Sequence, residues 1–424
     1  MIHEGLARRI GLFDATMVVM GGIVGSGIFV TPAIVASWTR TRAEMLAAWM
    51  VGGAAALLGA FVYADLSRRR PFAGGQYVYL REAYHPALGF LYGWALLLVI
   101  QTGGMAVCAM TFARYFGPLA GVPLSEGALA AAAMAALIAV NCLGVGAGAR
   151  TQSGLMLLKI AAIAAVIACG LIGVPAGAAP STPREGASFA AALIPVLFCY
   201  GGFQTACFVA GELKDPRRDL PRALLTGVGF VIVLYVGAAF AGDRILGKQA
   251  LQSSAAPALD VATRVMGARG ASLIAAGIAI SSLGFLSQSI LTAPRVYFAM
   301  AEDGLFLRSV ARLHPRTRAP VVAIVLQGAL AIVLALWGTY ERLLQYVVAI
   351  DFIFFALTAS CLFVFRRRGE PIGMPGHPVT TLLFIGICAA VVIATFVHEP
   401  LHSMVGLGLT VAGLPVYLLW RRNR

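Results

Sequence analysis

Charge is scarce in this sequence. Only 12% of the 424 residues are Asp, Glu, Lys or Arg, whereas 60% are hydrophobic, and the mean hydropathy is +0.86. Soluble domains carry about twice that fraction of charge, so the composition excludes a soluble globular protein. The net charge of +14 arises from Lys and Arg that flank apolar runs, a pattern typical of membrane proteins, and it does not indicate a nucleic acid partner.

Patterns of catalytic and metal-binding residues are also missing from the sequence. The six histidines lie in loops or at the ends of apolar runs, and there is no HExxH, no phosphate-binding glycine loop and no nucleophile elbow. The seven cysteines lie inside apolar runs without metal-ligand spacing, and we interpret them as packing residues. We therefore expect no cofactor and no metal, and a membrane-embedded enzyme is only a remote alternative.

Long apolar blocks are what the sequence has instead. A helix needs roughly 20 apolar residues to cross a bilayer, and twelve blocks approach or exceed that length. We predict an all-α polytopic membrane protein with twelve transmembrane helices. The blocks cover residues 11–36, 43–66, 85–116, 124–143, 151–174, 188–212, 221–242, 270–300, 320–337, 341–365, 378–397 and 401–420. Most of the 32 Lys and Arg fall on the inner side if the N-terminus is cytoplasmic, which predicts that both termini are cytoplasmic.

Glycine interrupts the first and the sixth of these blocks. The first contains GGIVGSGIFV, residues 21–30, and the sixth contains Gly201 and Gly202. Such glycines either let a second helix pack closely or mark a helix that is broken within the membrane. Because the two interruptions lie five blocks apart, we favour broken helices at corresponding positions of two halves. The halves are 1–174 and 188–366, with opposite orientations, and residues 367–424 add the last two helices.

Broken helices present backbone groups to a polar ligand. The N–H groups of Ser26, Gly27 and Ile28 would begin a half-helix and suit a carboxylate. Carbonyl groups that end a half-helix suit an ammonium group. The residues that we expect to contribute carbonyl groups or to form the break points are Ile23, Val24, Gly25, Phe198, Cys199, Gly201 and Gly202. An amino acid carries both charges, and aromatic side chains near the second break would shape or gate its pocket, namely Phe198, Tyr200 and Phe203.

Four separated motifs extend over nearly the whole chain. They are GGIVGSGIFVTP in the first block, YADLSRRRPFAGGQYVYLREAYHPALGFLYGW at 63–94, FCYGGFQTACFVAGELKDPRRDLPRAL at 198–224 and SQSILTAPRVYFAMAEDG at 287–304. Together they resemble the amino acid–polyamine–organocation (APC) superfamily, most of all its L-amino acid transporter group. The resemblance implies a LeuT-like fold with a five-plus-five inverted repeat and alternating access around a mid-membrane amino acid site. It implies carboxylate contacts at Ser26 and Gly27, ammonium contacts at the carbonyls of Ile23, Phe198 and Gly201, and a gate at Phe198.

Lys159 lies about eight residues into the fifth block, roughly 12 Å deep at 1.5 Å per residue. It either extends to the membrane surface or serves as an internal cation. The resemblance implies the second role, because a lysine here takes the place that sodium occupies in sodium-coupled relatives. It would bridge the first break to the eighth block, with Ser287 as a hydroxyl partner. We therefore expect sodium-independent transport, with Lys159 either fixed or releasing a proton during the cycle.

Four polar side chains inside apolar blocks are further candidates for contact with the substrate. They are Gln101, Gln204, Ser282 and Asp351. Each can instead join helices, and Gln204 has the best case because it lies one turn past the gate. An Asp351 that faces the pocket would make a cationic substrate side chain plausible. Oppositely charged loops after the second, sixth and eighth blocks either latch the cytoplasmic gate or only set topology.

These patterns predict a secondary active transporter of neutral L-amino acids in a bacterial inner membrane, working by exchange or proton-coupled symport. The alternative is a cationic amino acid or polyamine antiporter, and a channel is remote. The resemblance also implies that animal members carry a cysteine between the third and fourth spans, which links a heavy chain. The corresponding segment here, GPLAGVPLSEG, has none. We expect an amino acid and membrane lipid as partners, and no disulfide-linked heavy chain.

Overall fold

The computed structural model is helical over the residues that it describes. These are 6–121, 123–176, 185–337 and 340–422, with the backbone alone at 340–346 and 421–422. Short 3-10 segments occur at Gly27–Phe29, Phe203–Glu212 and Arg308–Ala311, and a π-helical turn at Leu96–Ile100. The α-helices are α1 (Leu12–Ile23), α2 (Thr31–Trp38), α3 (Arg42–Arg69), α4 (Gln76–Ala83), α5 (Pro86–Ala95), α6 (Gln101–Ala120), α7 (Glu126–Cys142), α8 (Val145–Ile172), α9 (Phe189–Cys199), α10 (Pro216–Leu246), α11 (Lys248–Ser253), α12 (Pro257–Thr292), α13 (Pro294–Glu302), α14 (Val321–Leu336), α15 (Tyr340–Arg367), α16 (Val379–His398), α17 (Pro400–Val411) and α18 (Gly413–Arg422).

Nine helical stretches of the described chain are long and apolar enough to cross a membrane. They are Arg42–Arg69, Pro86–Ala120, Val145–Ile172, Phe189–Glu212, Pro216–Leu246, Pro257–Glu302, Val347–Arg367, Val379–His398 and Pro400–Trp420. Three more apolar helices, α1, α7 and α14, have 12, 17 and 16 residues. All of these stretches follow the order of the predicted blocks. The prediction of a helical, multi-pass membrane protein is therefore confirmed, although three blocks form helices shorter than a complete span.

Several helices begin where the sequence supplies a capping residue. The Oγ1 of Thr41 accepts a hydrogen bond from the N–H of Glu44 at the start of α3. The Oγ of Ser188 accepts one from the N–H of Ala191 at the start of α9. Helices α5, α10 and α12 carry proline in their first turn, where no N–H partner is needed. The Ser188 cap fixes the start of α9. All eleven residues of α9 precede the second break.

The first predicted interruption is a break in the helix. α1 ends at Ile23, Val24 is extended with φ −78° and ψ 95°, and a 3-10 turn precedes α2. At about 1.5 Å per residue α1 extends roughly 18 Å, whereas the bilayer core is roughly 30 Å thick. α1 therefore ends within the membrane and leaves backbone groups there that need partners.

The second predicted interruption is also a break. α9 ends at Cys199, and Gly202 has a φ of +104°, a conformation that residues with a Cβ rarely adopt. The chain continues from Phe203 to Glu212 as a 3-10 helix. The helical period therefore changes at this break from about 3.6 to about 3 residues per turn.

The two breaks touch through their backbones. A Cβ added to Gly22 would lie 2.5 Å from the carbonyl oxygen of Gly202, and a Cβ added to Gly202 would overlap the carbonyl of Gly22. A Cβ added to Gly27, by contrast, would meet its nearest neighbour at 3.7 Å, and one added to Gly25 at 3.8 Å. Both interpretations of the glycine-rich stretch therefore hold: Gly22 permits close packing, whereas Gly25 and Gly27 belong to the open part of the break.

The segment before α1 is tied to the end of the second broken stretch. The N–H groups of Arg9 and Ile10 donate to the carbonyl oxygen of Glu212 at 2.9 and 3.0 Å, and the N–H of Lys214 donates to the carbonyl of Ile10 at 3.0 Å. The buried carboxylate of Glu212 forms an ion pair with buried Arg295 of α13 at 2.8 Å. The side of the molecule that carries these contacts is called the N-terminal face below. The two broken stretches are held together there.

Candidate functional site

A cavity of about 230 Å³ lies between the two breaks, and it is called the central cavity below. Both breaks, the π-helical turn and helices α6, α12 and α15 supply its walls. The lining residues are Gly22, Ile23, Gly25, Ser26, Gly27, Thr31, Leu96, Ile100, Gln101, Gly104, Val107, Cys108, Phe198, Cys199, Gly201, Gly202, Gln204, Thr205, Phe285, Gln288, Val347, Asp351, Phe352 and Phe355. A mostly apolar wall with a few polar groups is typical of a small-molecule site.

The N–H groups that follow the first break have no hydrogen-bond acceptor among the described residues. They belong to Ser26, Gly27 and Ile28. Ser26 and Gly27 line the central cavity. Unpaired N–H groups at the start of a half-helix attract an anion. The residues predicted to bind a carboxylate are therefore placed at the cavity wall with free donors.

Several carbonyl groups at the breaks already accept hydrogen bonds. The hydroxyl of Tyr235 donates to the carbonyl oxygen of Ile23, and that of Ser281 donates to the carbonyl oxygen of Gly25, each at 3.0 Å. Neither hydrogen bond is predicted by the sequence pattern. The carbonyl of Gly201 accepts no hydrogen bond within the described chain, so it is available to an ammonium group.

Lys159 of α8 is fully buried, with 0% exposure. Its Nζ donates to the carbonyl oxygen of Val24 at 2.5 Å, directly after the end of α1, and neither residue lines the central cavity. A Cβ added to Gly284 of α12 would overlap the lysine side chain, so the lysine lies between the first break and α12. The predicted partner was wrong: the Oγ of Ser287 is buried without a hydrogen-bond partner in the described chain, because the lysine meets α12 one turn earlier.

The three aromatic residues near the second break occupy different positions. Phe198 lines the central cavity and is 39% exposed. Tyr200 is buried against aromatic rings of α3 and α10, outside the cavity wall, because it lies about 200° around the helix from Phe198. Phe203 follows the change of helical period at Gly202, and it stacks behind Phe355 with 5.8 Å between ring centroids. Tyr200 and Phe203 therefore do not line the central cavity, although Phe203 supports its wall through Phe355, and a gating role for either residue stays a prediction.

Three of the four polar candidates line the central cavity, namely Gln101, Gln204 and Asp351. The Oε1 of Gln204 is buried and has no hydrogen-bond partner in the described chain. Ser282 does not line the cavity, and its hydroxyl donates to a carbonyl of its own helix at 3.0 Å. The expected substrate contact of Ser282 is wrong, because the neighbouring Ser281 is the residue that α12 turns toward the break.

Some lining residues carried no signal that we recognised in the sequence. The Nε2 of Gln288 donates to the Oγ1 of Thr205 at 2.5 Å, and both side chains line the cavity. The ring of Phe285 lies beside Gly25. Ser281, Phe285 and Gln288 are spaced i, i+4 and i+7, which places them on one face of α12. If one of these three residues were known to face the break, the helical spacing would have identified the other two as well.

Ion pairs close the N-terminal face. Arg81 is paired with Asp303, which links the segment after α3 to the end of α13, and whether such pairs latch a gate stays a prediction. Arg70 pairs with Glu82 at 2.8 Å and with Glu370, beyond α15, at 2.5 Å. The exposed residues of the described cavity wall are Gly27 and Phe198, one at each break. Ion pairs thus join the elements of the N-terminal face, whereas exposure of the cavity wall occurs at the breaks.

The pairing of Glu370 makes a pH-dependent contribution to stability. The Arg70 guanidinium bonds both carboxylate oxygens and holds the pKa of Glu370 below its ordinary value. A lowered folded-state pKa stabilises the protein fully above the unfolded-state pKa of about 4.3, and this contribution is lost as the pH falls through the folded-state value.

We expect Glu370→Gln to lower the melting temperature of the purified protein by roughly 1–2 °C at about pH 7, and by less at about pH 3.5. The exposed loop residue Glu185 offers a matched control in Glu185→Gln, which should not change the melting temperature at either pH. A difference between Glu370→Gln and wild type that stays constant across this pH range would contradict the assignment.

Comparisons with known proteins cover almost the entire chain. A family model described as amino acid permease matches residues 10–419. The chain is 30% identical to the serine/threonine exchanger SteT of Bacillus subtilis (strain 168), over 99% of this chain and 98% of that protein. It is 30% identical to the large neutral amino acids transporter small subunit 2 of Rattus norvegicus, over 98% of this chain and 81% of that protein. It is 28% identical to the Asc-type amino acid transporter 1 of Homo sapiens, over 98% of this chain and 83% of that protein.

Proposed function

The chain belongs to the amino acid permease family, and we propose that it exchanges neutral L-amino acids across its membrane without sodium. It is a multi-pass membrane protein and a transporter rather than an enzyme, in agreement with relatives that are named as exchangers and transporters. Two of those names specify serine/threonine and large neutral amino acids. These names support a neutral amino acid as the substrate.

The observation that carries the proposal is the pair of helix breaks around one cavity. The substrate carboxylate would accept hydrogen bonds from the free N–H groups of Ser26 and Gly27. The substrate ammonium would donate to the carbonyl of Gly201 and to the unpartnered Oε1 of Gln204. Both ends of an amino acid backbone thereby meet groups that have no partner in the described chain, and Phe198 would cover the site from the open side.

We further propose twelve spans with a LeuT-like inverted repeat. The repeat comprises residues 1–174 and 188–366, and residues 367–424 add two spans. Its support is that α1 and α9, which begin the two halves, both break and contact each other at the break. Helices α1, α7 and α14 would bring the spans to twelve.

The excess of Lys and Arg near the N-terminal face favours cytoplasmic termini, with the ends themselves, 1–5 and 423–424, outside the described residues. The bacterial relative matched over nearly its whole length favours a bacterial inner membrane. Alternating access then requires the ion pairs of Arg81 and Arg70 to separate when the cavity opens to the cytoplasm, while Phe198 closes the other side.

Uptake into proteoliposomes tests the function. One set of vesicles is preloaded with an unlabelled mixture of neutral amino acids, and the other is empty with an inward proton gradient, both without sodium. We expect labelled neutral amino acids to enter the preloaded vesicles alone, and added sodium to change nothing. Uptake driven by the proton gradient into empty vesicles would show that the protein is a proton-coupled symporter and not an exchanger. Failure of folded protein to take up any amino acid would refute the substrate class.

A further inference from the structure

Among the residues whose side chains the structure describes, Asp351 is the one Asp or Glu in the wall of the central cavity, and no Lys, Arg or His lies in that wall. Its carboxylate makes no hydrogen bond or ion pair with the side chains and backbone that the structure describes. A carboxylate within the membrane is costly unless a cation or hydrogen-bond donor meets it. Asp351 therefore needs either a proton or a donor that the described chain does not supply, and a bound substrate can supply such a donor.

The place of Asp351 determines which part of a substrate it meets. The two breaks offer groups for the carboxylate and ammonium of an amino acid, as proposed above. Asp351 lies on α15, which belongs to neither broken stretch. The substituent of the substrate that remains for α15 is the side chain.

The neighbours of Asp351 on α15 define the shape of that contact. Val347, Phe352 and Phe355 also line the cavity, and Val347, Asp351 and Phe355 share one helix face at i, i+4 and i+8. This wall is apolar with a single acceptor inside it. It matches a substrate side chain that has an apolar stem and a hydrogen-bond donor, and a purely aliphatic side chain leaves the acceptor unpaired.

We infer that Asp351 selects the substrate by accepting a hydrogen bond from its side chain, which is a hydroxyl or an ammonium group. This inference rests on the proposed transport function: a hydroxyl group narrows the neutral substrate class, whereas an ammonium group would replace it by the cationic alternative. Of the two donors, an ammonium group also neutralises the carboxylate. The experiment therefore tests a hydroxyl donor and an ammonium donor separately.

The experiment measures inhibition of labelled alanine exchange in proteoliposomes by pairs of amino acids matched in size. Threonine is compared with valine for the hydroxyl, and lysine with norleucine for the ammonium. In the wild type we expect the amino acid with a side-chain donor to inhibit at a concentration about tenfold or more below that of its partner. An inhibitor without the donor leaves the carboxylate of Asp351 unpaired. Equal inhibition within both pairs would overturn the inference.

Two substitutions separate the donors. Asp351→Asn retains an oxygen acceptor without charge, so the lysine preference should fall by about tenfold while the threonine preference stays within about threefold. Asp351→Leu removes the acceptor, and both preferences should disappear while valine inhibits better. Preferences that survive Asp351→Leu would overturn the inference, as would an altered pH dependence with unchanged preferences, which would make Asp351 a proton acceptor instead.

A matched control is available on another part of the chain. Asp260 near the start of α12 accepts a hydrogen bond from Ser254 and is outside the cavity wall. Asp260→Asn should leave all four inhibition constants unchanged. Alanine exchange that shows no preference defeats this inference alone, whereas absence of any amino acid exchange by the folded wild type defeats the proposed function as well.

Discussion

Replacing Gly202 with alanine is expected to abolish amino acid uptake, to the level of vesicles without protein. The added Cβ would overlap the carbonyl of Gly22, and the φ of +104° is unfavourable for alanine. The colliding atoms are backbone atoms of the two breaks, so no side-chain rotation relieves the contact. Strain of about 1–3 kcal/mol and overpacking of about 1–3 kcal/mol add to a destabilisation of roughly 2–6 kcal/mol.

Uptake and thermal stability of Gly202→Ala are measured together. Gly229→Ala serves as the matched control, because Gly229 lies within α10 and a Cβ there would meet nothing within 4 Å. We expect the control to transport as the wild type does. Normal uptake by Gly202→Ala would mean that the two breaks do not pack directly on each other during the transport cycle.

Loss of the ammonium group of Lys159 should have the second large effect. Lys159→Met keeps the length of the side chain but removes the hydrogen bond to the carbonyl of Val24. We expect exchange to fall by about tenfold or more, since hydrogen bonds to charged groups are among the strongest. Stability should change little, because removal of a buried charge offsets the loss of the donor to the buried carbonyl of Val24. A loss of exchange without a loss of stability would distinguish a role of Lys159 in the transport cycle from a role in packing.

The neighbouring Gly284 allows a second test of the same contact. Gly284→Ala should impair exchange on its own, because its Cβ would overlap the lysine side chain. In the Lys159→Ala background, however, the added methyl group has room and should cost nothing further. The two changes should therefore be strongly non-additive in a double-mutant cycle. Unimpaired exchange by Lys159→Met would show that the lysine only fills space, and additive effects in the cycle would show that the lysine does not pack on Gly284 during transport.

The positions of the breaks could be predicted from the sequence, whereas the rotation of the helices could not. Adjacent glycines also occur in the continuous helices α3 and α6, so it is the placement of two clusters five blocks apart, at corresponding positions of two halves, that marks the ends of α1 and α9. The free backbone groups at a helix end then follow directly from helix geometry. Rotation is different in a membrane protein, because both lipid and neighbouring helices accept apolar side chains. Nothing in the sequence of α12 therefore distinguished Ser281, which reaches the break, from Ser282, which does not.

The same limit explains the other corrections. The sequence indicates that Lys159 is an internal charge. Which turn of α12 the lysine meets depends on the register between two long helices, so the sequence does not show that the lysine packs on Gly284 and not beside the hydroxyl of Ser287. The positions of the aromatic side chains near the second break depend on the change of helical period at Gly202. That change accompanies the positive φ of Gly202, which the sequence alone does not show. Asp351 could be placed near the middle of its helix, but its approach to the cavity depended on how α15 packs against the breaks.

The cysteines, interpreted from sequence as packing residues, have a practical consequence. All seven are free thiols, and two of them, Cys108 and Cys199, line the central cavity. A thiol reagent that cannot cross lipid reaches these two sulfur atoms only from the side to which the cavity is open. Once the half-exposed Cys142 is replaced, labelling of the chain in sealed vesicles therefore reports which way each molecule faces, with the native cavity cysteines as the probes. Bound amino acid should protect the same thiols, so one chemical probe reads both occupancy and orientation.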